Sequence, residues 1–210
     1  MSETIVRLNR SQYRVEQSRR QQAGLMVEAV VEYGMDQCGT DPCAFRMVVD
    51  GKVELIMAIH VDDIVIAGSN ETCRDFYPAL TTKFPTSNLG ELTWYTGCAF
   101  KRDWELGTLG TTQKAFIERM LDRFGVNSSS DISAIPGVEL SPREQSEPNG
   151  EWPYRVAVGS LIWLSTMTRP DISNVVRAVA HHSHNPTNRN WKAVLKIMAY
   201  LHGTRVGIDI

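Results

Sequence analysis

The chain has 210 residues, 42% of them apolar and 22% charged, with a formal net charge of −2. That balance belongs to an ordinary globular protein with room for one domain or two small ones, and it argues against a disordered or fibrous chain. No run of about 18 apolar residues is present, so no helical membrane span is expected. The opening Met1-Ser2-Glu3-Thr4 has no basic stretch ahead of an apolar one, so no secretory leader is expected either.

In chain order, Arg20 to Glu32 has helical composition, with Leu25, Val27, Val30 and Val31 as apolar positions and Gly34 as a stop. Ala44 to Val49 is rich in β-formers, and Asp50-Gly51 is a strong hairpin signal. Val53 to Ile59 is almost continuously apolar, as a buried strand should be. Asp62-Asp63 follows, and then Ile64 to Gly68, so a second hairpin is expected with an acidic tip. Ser69 or Asn70 can cap a helix from Glu71 to about Phe84. Leu92 to Lys101 and Leu109 to Thr112 read as a strand pair across Gly107.

Gln113 to Phe124 predicts a helix with Phe116, Ile117, Met120, Leu121 and Phe124 on one stripe, ended by Gly125. Asn127 to Gly150 is rich in Ser, Pro, Glu and Gly and reads as a linker. Three helices follow, over about Tyr154–Met167, Asp171–His182 and Asn188–Leu201, with Pro170 suited to a first turn. The order is α+β and then all-helical, with the boundary in the linker.

Charge is distributed unevenly. Between Trp152 and Ile210 seven basic residues face two acidic ones, a balance of +5, while the first 151 residues carry −7. The basic segment suits either a polyanion contact or a solvated helical surface. The cysteines Cys38, Cys43, Cys73 and Cys98 include one C-x4-C pair without a second at zinc spacing, so free thiols in an intracellular compartment, cytoplasm or nucleus, are expected. His181, His182 and His184 read as helix-end residues. Trp163 and Trp191 lie in apolar stripes and read as core.

Two adjacent aspartates at a hairpin tip repel each other, and neither can be buried unpaired. A divalent cation resolves the repulsion, and hard carboxylate oxygens suit Mg2+. Asp is also a common turn residue, and His60 with Asp62 could form a transition-metal pair on one strand face. The residues alone leave these readings open.

The wider pattern resembles the reverse transcriptase of copia-type retrotransposons. Asp41-Pro42-Cys43-Ala44-Phe45 and Val61-Asp62-Asp63-Ile64-Val65-Ile66-Ala67-Gly68 are similar to the family's D-P-C-x-F and Y-V-D-D-I-x-I-A-G. The likeness continues in Leu89-Gly90-Glu91-Leu92 with Tyr95 and Gly97, and in Gln113 to Gly125. It extends through Tyr154-Arg155, Ala157 to Leu161, Thr168 to Ile172, Trp191 and Tyr200 to Thr204, so it covers nearly the whole chain.

The resemblance implies a partial polymerase palm over 1–126, made of an antiparallel sheet with packed helices. A linker over 127–151 and a helical thumb over 152–204 would follow, with 205–210 leading toward an RNase H domain. It implies two-metal nucleotidyl transfer with Asp62 and Asp63 as catalytic metal ligands for Mg2+ or Mn2+. Tyr13, Gln17 and Arg20 would remain from the nucleotide pocket, and Trp94, Tyr95 and Gly97 would position the primer end. Arg169, Arg177, Lys192 and Lys196 would follow the nucleic-acid backbone. The partners implied are an RNA or DNA template-primer and dNTPs.

The sequence also departs from the family pattern. The family's earlier strand with a third catalytic Asp has no counterpart in these 210 residues. Arg14, Glu16 and Arg19 replace a Gly, a basic residue and a Pro, His60 replaces a Tyr, and Thr86-Ser87-Asn88 stands for M-K-D. These departures imply a chain that does not polymerise DNA alone. The alternatives are a non-catalytic nucleic-acid-binding relic and a translated remnant without function.

Overall fold

A computed structural model describes residues 16–60, 63–84, 86–134, 140–141, 150–204 and 208–209, with backbone only at 16–23 and 208–209. The fold is α+β, with six α-helices and two antiparallel four-stranded sheets among the described residues. It divides into two compact units, Met1–Gly90 and Glu91–Ile210.

The first unit contains α1 (Glu16–Glu32), β1 (Asp36–Gln37), β2 (Ala44–Val49), β3 (Lys52–His60), β4 (Asp63–Gly68) and α2 (Asn70–Lys83), with the strands in the order β1-β2-β3-β4. Asp50 and Gly51 turn β2 into β3 with φ of 51° and 77°. Positive φ at both positions gives the turn whose twist matches the flanking strands. Gly34 (φ 99°) stops α1, and Ser69 caps α2 by accepting the Thr72 N–H.

The β3 run was expected to be buried on both faces, but the structure covers only one. Leu55 and Met57 are fully buried, whereas Ile56 between them is 51% exposed. The covered face packs with Phe45, Val30, Met35, Phe76 and Leu80. Opposed residues of antiparallel strands share a face. The open face therefore carries Ala44, Arg46, Ile56, Ala58, Val65 and Ala67, and at one end His60 opposite Asp63.

The second unit contains β5 (Trp94–Tyr95), β6 (Cys98–Asp103), β7 (Thr108–Thr112), α3 (Lys114–Phe124), α4 (Tyr154–Met167), a 3-10 turn (Pro170–Ile172), α5 (Ser173–Ala180), α6 (Asn188–Gly203) and β8 (Ile208–Asp209). The strand expected over Leu92–Lys101 is broken into β5 and β6 by Thr96-Gly97, with φ of 46° and 83°. β8 pairs with β7 through Thr111↔Ile208 and Gly110↔Asp209, adding a strand that local sequence did not suggest.

The four helices of this unit share one core. Ile117, Met120 and Leu121 of α3 join Leu161 and Leu164 of α4, Val176 and Val179 of α5, and Ile197, Met198 and Leu201 of α6. The amphipathic face of α3 is thus buried against the C-terminal helices. Compactness draws the boundary at Gly90/Glu91, whereas composition placed it in the 127–151 loop. Thr187 and Asn190 form a reciprocal capping box that starts α6.

Candidate metal and nucleic-acid site

The acidic hairpin is built by strand register. From Leu55↔Gly68 to His60↔Asp63 the pairing of β3 and β4 has no slip. Val61 and Asp62, which follow His60 in the chain, lie outside the described residues. Asp63 begins β4, is exposed, and shares the open face with His60. The stripe of buried Leu55 and Met57 with partly buried Ile59, Ile64 and Ile66 anchors the strands from the covered side. A one-residue slip would turn that stripe to solvent, so burial fixes where Asp63 points.

The D-P-C segment supports the neighbouring strand. Asp41 Oδ1 accepts the Cys43 N–H at 2.8 Å, and Cys43 O accepts the Ile59 N–H at 2.9 Å. These bonds lock the start of β2 beside β3, one residue before His60. Asp41 is therefore a turn-building residue.

The family M-K-D loop corresponds to Thr86–Asn88, and the basic residue before it, Lys83, forms an ion pair with Glu32 of α1. Gln17 and Arg20 fall on α1, but their side chains, like Tyr13 itself, lie outside the described residues.

In the second unit, Trp94, Tyr95 and Gly97 are brought together by the β5–β6 turn. Trp94 is 56% exposed, and Tyr95 is half-buried opposite buried Cys98. Gly97 lies beside α4, where a Cβ in its place would sit 3.9 Å from Trp163 Cζ2. Trp163 was expected in the core, yet it is 39% exposed. Helical spacing explains the difference: Arg155, Gly159 and Trp163 recur every fourth position on the outer face of α4, and all three are exposed. No local sequence signal separated this stripe from the core stripe, because α4 is apolar nearly all round. Trp191 is packed as expected, against Phe124, Tyr154 and Trp152.

The four C-terminal cations are placed differently. Arg177 and Lys192 are exposed, and Lys196 is partly so. Arg169 is 5% exposed, and its donors are used within the chain. Nε and one terminal nitrogen donate to Asp171 at 2.9 and 2.6 Å. The guanidinium also donates to Thr204 O and, at 2.8 Å, to Thr204 Oγ1. Tyr200 Oη donates to Asp171 at 3.0 Å, and the guanidinium lies over the Tyr200 ring. Hydrogen bonds from Arg169 hold the Asp171 carboxyl below the ordinary carboxylate range, against the opposing effect of partial burial. The T-R-P-D and Y-L-H-G-T segments therefore form one clamp across the second unit. Arg169 braces that clamp and is not presented to a phosphate.

Among the described residues no three His, Cys, Asp or Glu side chains are grouped to hold a metal ion, and no helix is long and apolar enough to cross a membrane. Asp63 offers hard oxygen donors on an open face, and Asp62 lies outside the described residues. Such donors fit Mg2+ or Mn2+, which bind through one or two carboxylates and take their other ligands from water and phosphates.

The profile of the family described as "Reverse transcriptase (RNA-dependent DNA polymerase)" matches residues 1–138. The "Retrovirus-related Pol polyprotein from transposon TNT 1-94" of Nicotiana tabacum is 28% identical over 95% of this chain and 16% of its own length. The corresponding polyprotein from transposon RE1 of Arabidopsis thaliana is 31% identical over 73% of this chain and 10% of its own. An uncharacterized mitochondrial protein of Arabidopsis thaliana is 27% identical over 71% of this chain and 62% of its own length. The chain thus spans a small part of the two polyproteins. No solved structure matches.

Proposed function

Because the chain belongs to the reverse transcriptase family, in the copia-type retrotransposon Pol lineage, we propose that it carries part of the palm and the thumb of an RNA-directed DNA polymerase and binds a template-primer duplex. The observation that carries this reading is the slip-free hairpin that sets Asp63 on an open face opposite His60. Asp62 and Asp63 would hold Mg2+ or Mn2+, which when bound supplies electrostatic stabilisation for nucleotidyl transfer. The chain's own residues then bind and position. The β5–β6 turn with Trp94, Tyr95 and Gly97 supports the primer end, and Arg177, Lys192 and Lys196 neutralise backbone phosphates.

The stripe Arg155, Gly159 and Trp163 extends that surface beside Gly97. It offers a cation and a flat ring on either side of a glycine with open space around it, a combination that suits a sugar-phosphate track. Arg169 is left out of the binding set, because its donors are committed to Asp171 and Thr204.

Removal of one member of a catalytic unit costs several orders of magnitude in rate, and the family's third carboxylate is not among these 210 residues, so on their own they are expected to bind duplex without extending a primer. The test is affinity for an RNA–DNA duplex at several salt concentrations, with primer extension on an RNA template in Mg2+ and dNTPs alongside. The expected result is salt-dependent binding without extension. Lys192→Ala and Lys196→Ala should each weaken binding irrespective of sequence and lower the log–log salt slope by about one. Salt-independent binding, or extension that disappears in Asp62→Asn, would overturn the reading.

A further inference from the structure

β3 runs to His60, and the residue paired with it across the hairpin is Asp63, the first of β4. The Ile59 N–H is spent on Cys43 O, toward β2. Backbone groups alternate sides along a strand, so His60 turns its N–H and C=O toward Asp63. Opposed side chains share one face, with Cβ atoms about 4.5–5.5 Å apart. An imidazole and a carboxylate, both exposed, therefore stand side by side on the open face.

Their neighbours leave the pair to itself. The next pair inward on that face is Ala58 with Val65, and Ala44 lies across from Ala58 on β2. These side chains are small and apolar, so they add neither a ligand nor a positive charge. Arg46 is paired with Ile56, four residues and about 13 Å along β3 from His60.

The donor types select the ion. Carboxylate oxygens suit Mg2+, which sheds its water reluctantly, whereas imidazole nitrogen suits Zn2+, Cu2+ and Ni2+. An ion held at about 2.0–2.2 Å by one nitrogen and one oxygen needs those atoms roughly 3 Å apart, within reach of two opposed side chains. Ligating histidines bind through one ring nitrogen and keep the other for a hydrogen bond.

We propose that His60 and Asp63 together bind a divalent ion of the zinc class in preference to Mg2+. The pair is complete without Asp62, so the inference rests neither on the acid pair nor on the polymerase reading. Two protein ligands leave the remaining positions to water, so the ion is exchangeable, unlike a four-ligand structural zinc.

The probe is Zn2+, titrated into the intact 210-residue chain with Mg2+ in a parallel series. Histidine ring signals and backbone amide signals are followed by NMR. The His60 ring is assigned by its absence in His60→Phe, and amides away from the hairpin report that each variant keeps its fold. Zn2+ should shift the His60 ring and the Asp63 amide along one saturating curve, and Mg2+ should leave the ring in place. Losing a ligand's supporting partner costs roughly 10–100-fold in metal affinity, so losing a ligand should cost about tenfold or more. The Zn2+ midpoint at the His60 ring should rise by that factor in Asp63→Asn, and the midpoint at the Asp63 amide should do so in His60→Phe, with its Mg2+ response unchanged. Asp62→Asn should leave the His60 shift in place. A His60 ring that Zn2+ does not move, or that Mg2+ moves equally, overturns the proposal. So does a midpoint that Asp63→Asn leaves unchanged, or a shift that disappears in Asp62→Asn, which would assign the ion to the acid pair. An Asp62→Asn chain that keeps the His60 shift while the native chain shows no Mg2+ response at Asp63 would remove the Mg2+ reading and support this one.

Discussion

Asp171 and Tyr154 have surroundings that set a pH dependence. Asp171 takes two bonds from Arg169 and one from Tyr200, and the Arg169 bonds hold its pKa below the ordinary value of 3.8. A depressed carboxylate contributes stability above its unfolded pKa and loses it as pH falls through the folded one. Urea denaturation should therefore show the second unit weakening as pH drops below about 4, and Asp171→Asn should be less stable at pH 7 with that acid step reduced. Tyr154 behaves in the opposite direction. Burial pushes its pKa from 10.0 to about 12, and its hydroxyl donates to Val179 O at 2.8 Å. A raised tyrosine contributes stability below its unfolded pKa, which is lost as pH climbs from 10.0 through about 12. Tyr154→Phe should cost about 1 kcal/mol at neutral pH, as a lost buried hydrogen bond does, and should flatten the alkaline step. Neither pattern is legible in sequence. Arg169 and Asp171 are two residues apart and visible as a motif, but their burial and their bonds to Tyr200 and Thr204 come from long-range packing.

At the scale of elements, the β3–β4 hairpin was readable because its signals are local and agree. Asp50-Gly51 fixes one turn, and the apolar runs on either side of Asp62-Asp63 mark the second. The open face was less readable, because Ile56, Ala58 and Val65 are apolar without being covered. Gly68 marks how tightly the hairpin closes at its far end. A Cβ there would sit 2.5 Å from Glu54 O and 2.8 Å from Leu55 Cδ1. Gly68→Ala should cost about 1–3 kcal/mol of stability by overpacking, measured by chemical denaturation, whereas Gly159→Ala, with open space around it, should cost little. The β5–β6 break was missed because Thr96-Gly97 is a weaker signal than Asp-Gly, and non-glycine Thr96 must take a positive φ. β1 and β8 were missed because two-residue strands exist only through their partners.

For the whole molecule, the division follows side-chain packing and not composition. The polar 127–151 segment reads as a boundary, yet α3 before it shares a core with α4, α5 and α6 after it. Its apolar stripe was legible, but the partner of that stripe was not. The family pattern spans both units, from D-P-C to Y-L-H-G-T, and accounts for residues that build turns and clamps as well as for the acid pair. Asp41, Arg169 and Thr204 belong to the first group, and Asp63 is open to the second.

Asp62 and Asp63 are the residues proposed to form a divalent-cation site. Paramagnetic broadening of backbone amide signals by Mn2+, on the intact 210-residue chain, tests it most directly. Broadening centred on His60 to Ile64 is expected, reversed by excess Mg2+ and absent in both Asp62→Asn and Asp63→Asn. Broadening centred elsewhere, or unchanged in those two variants, would contradict it.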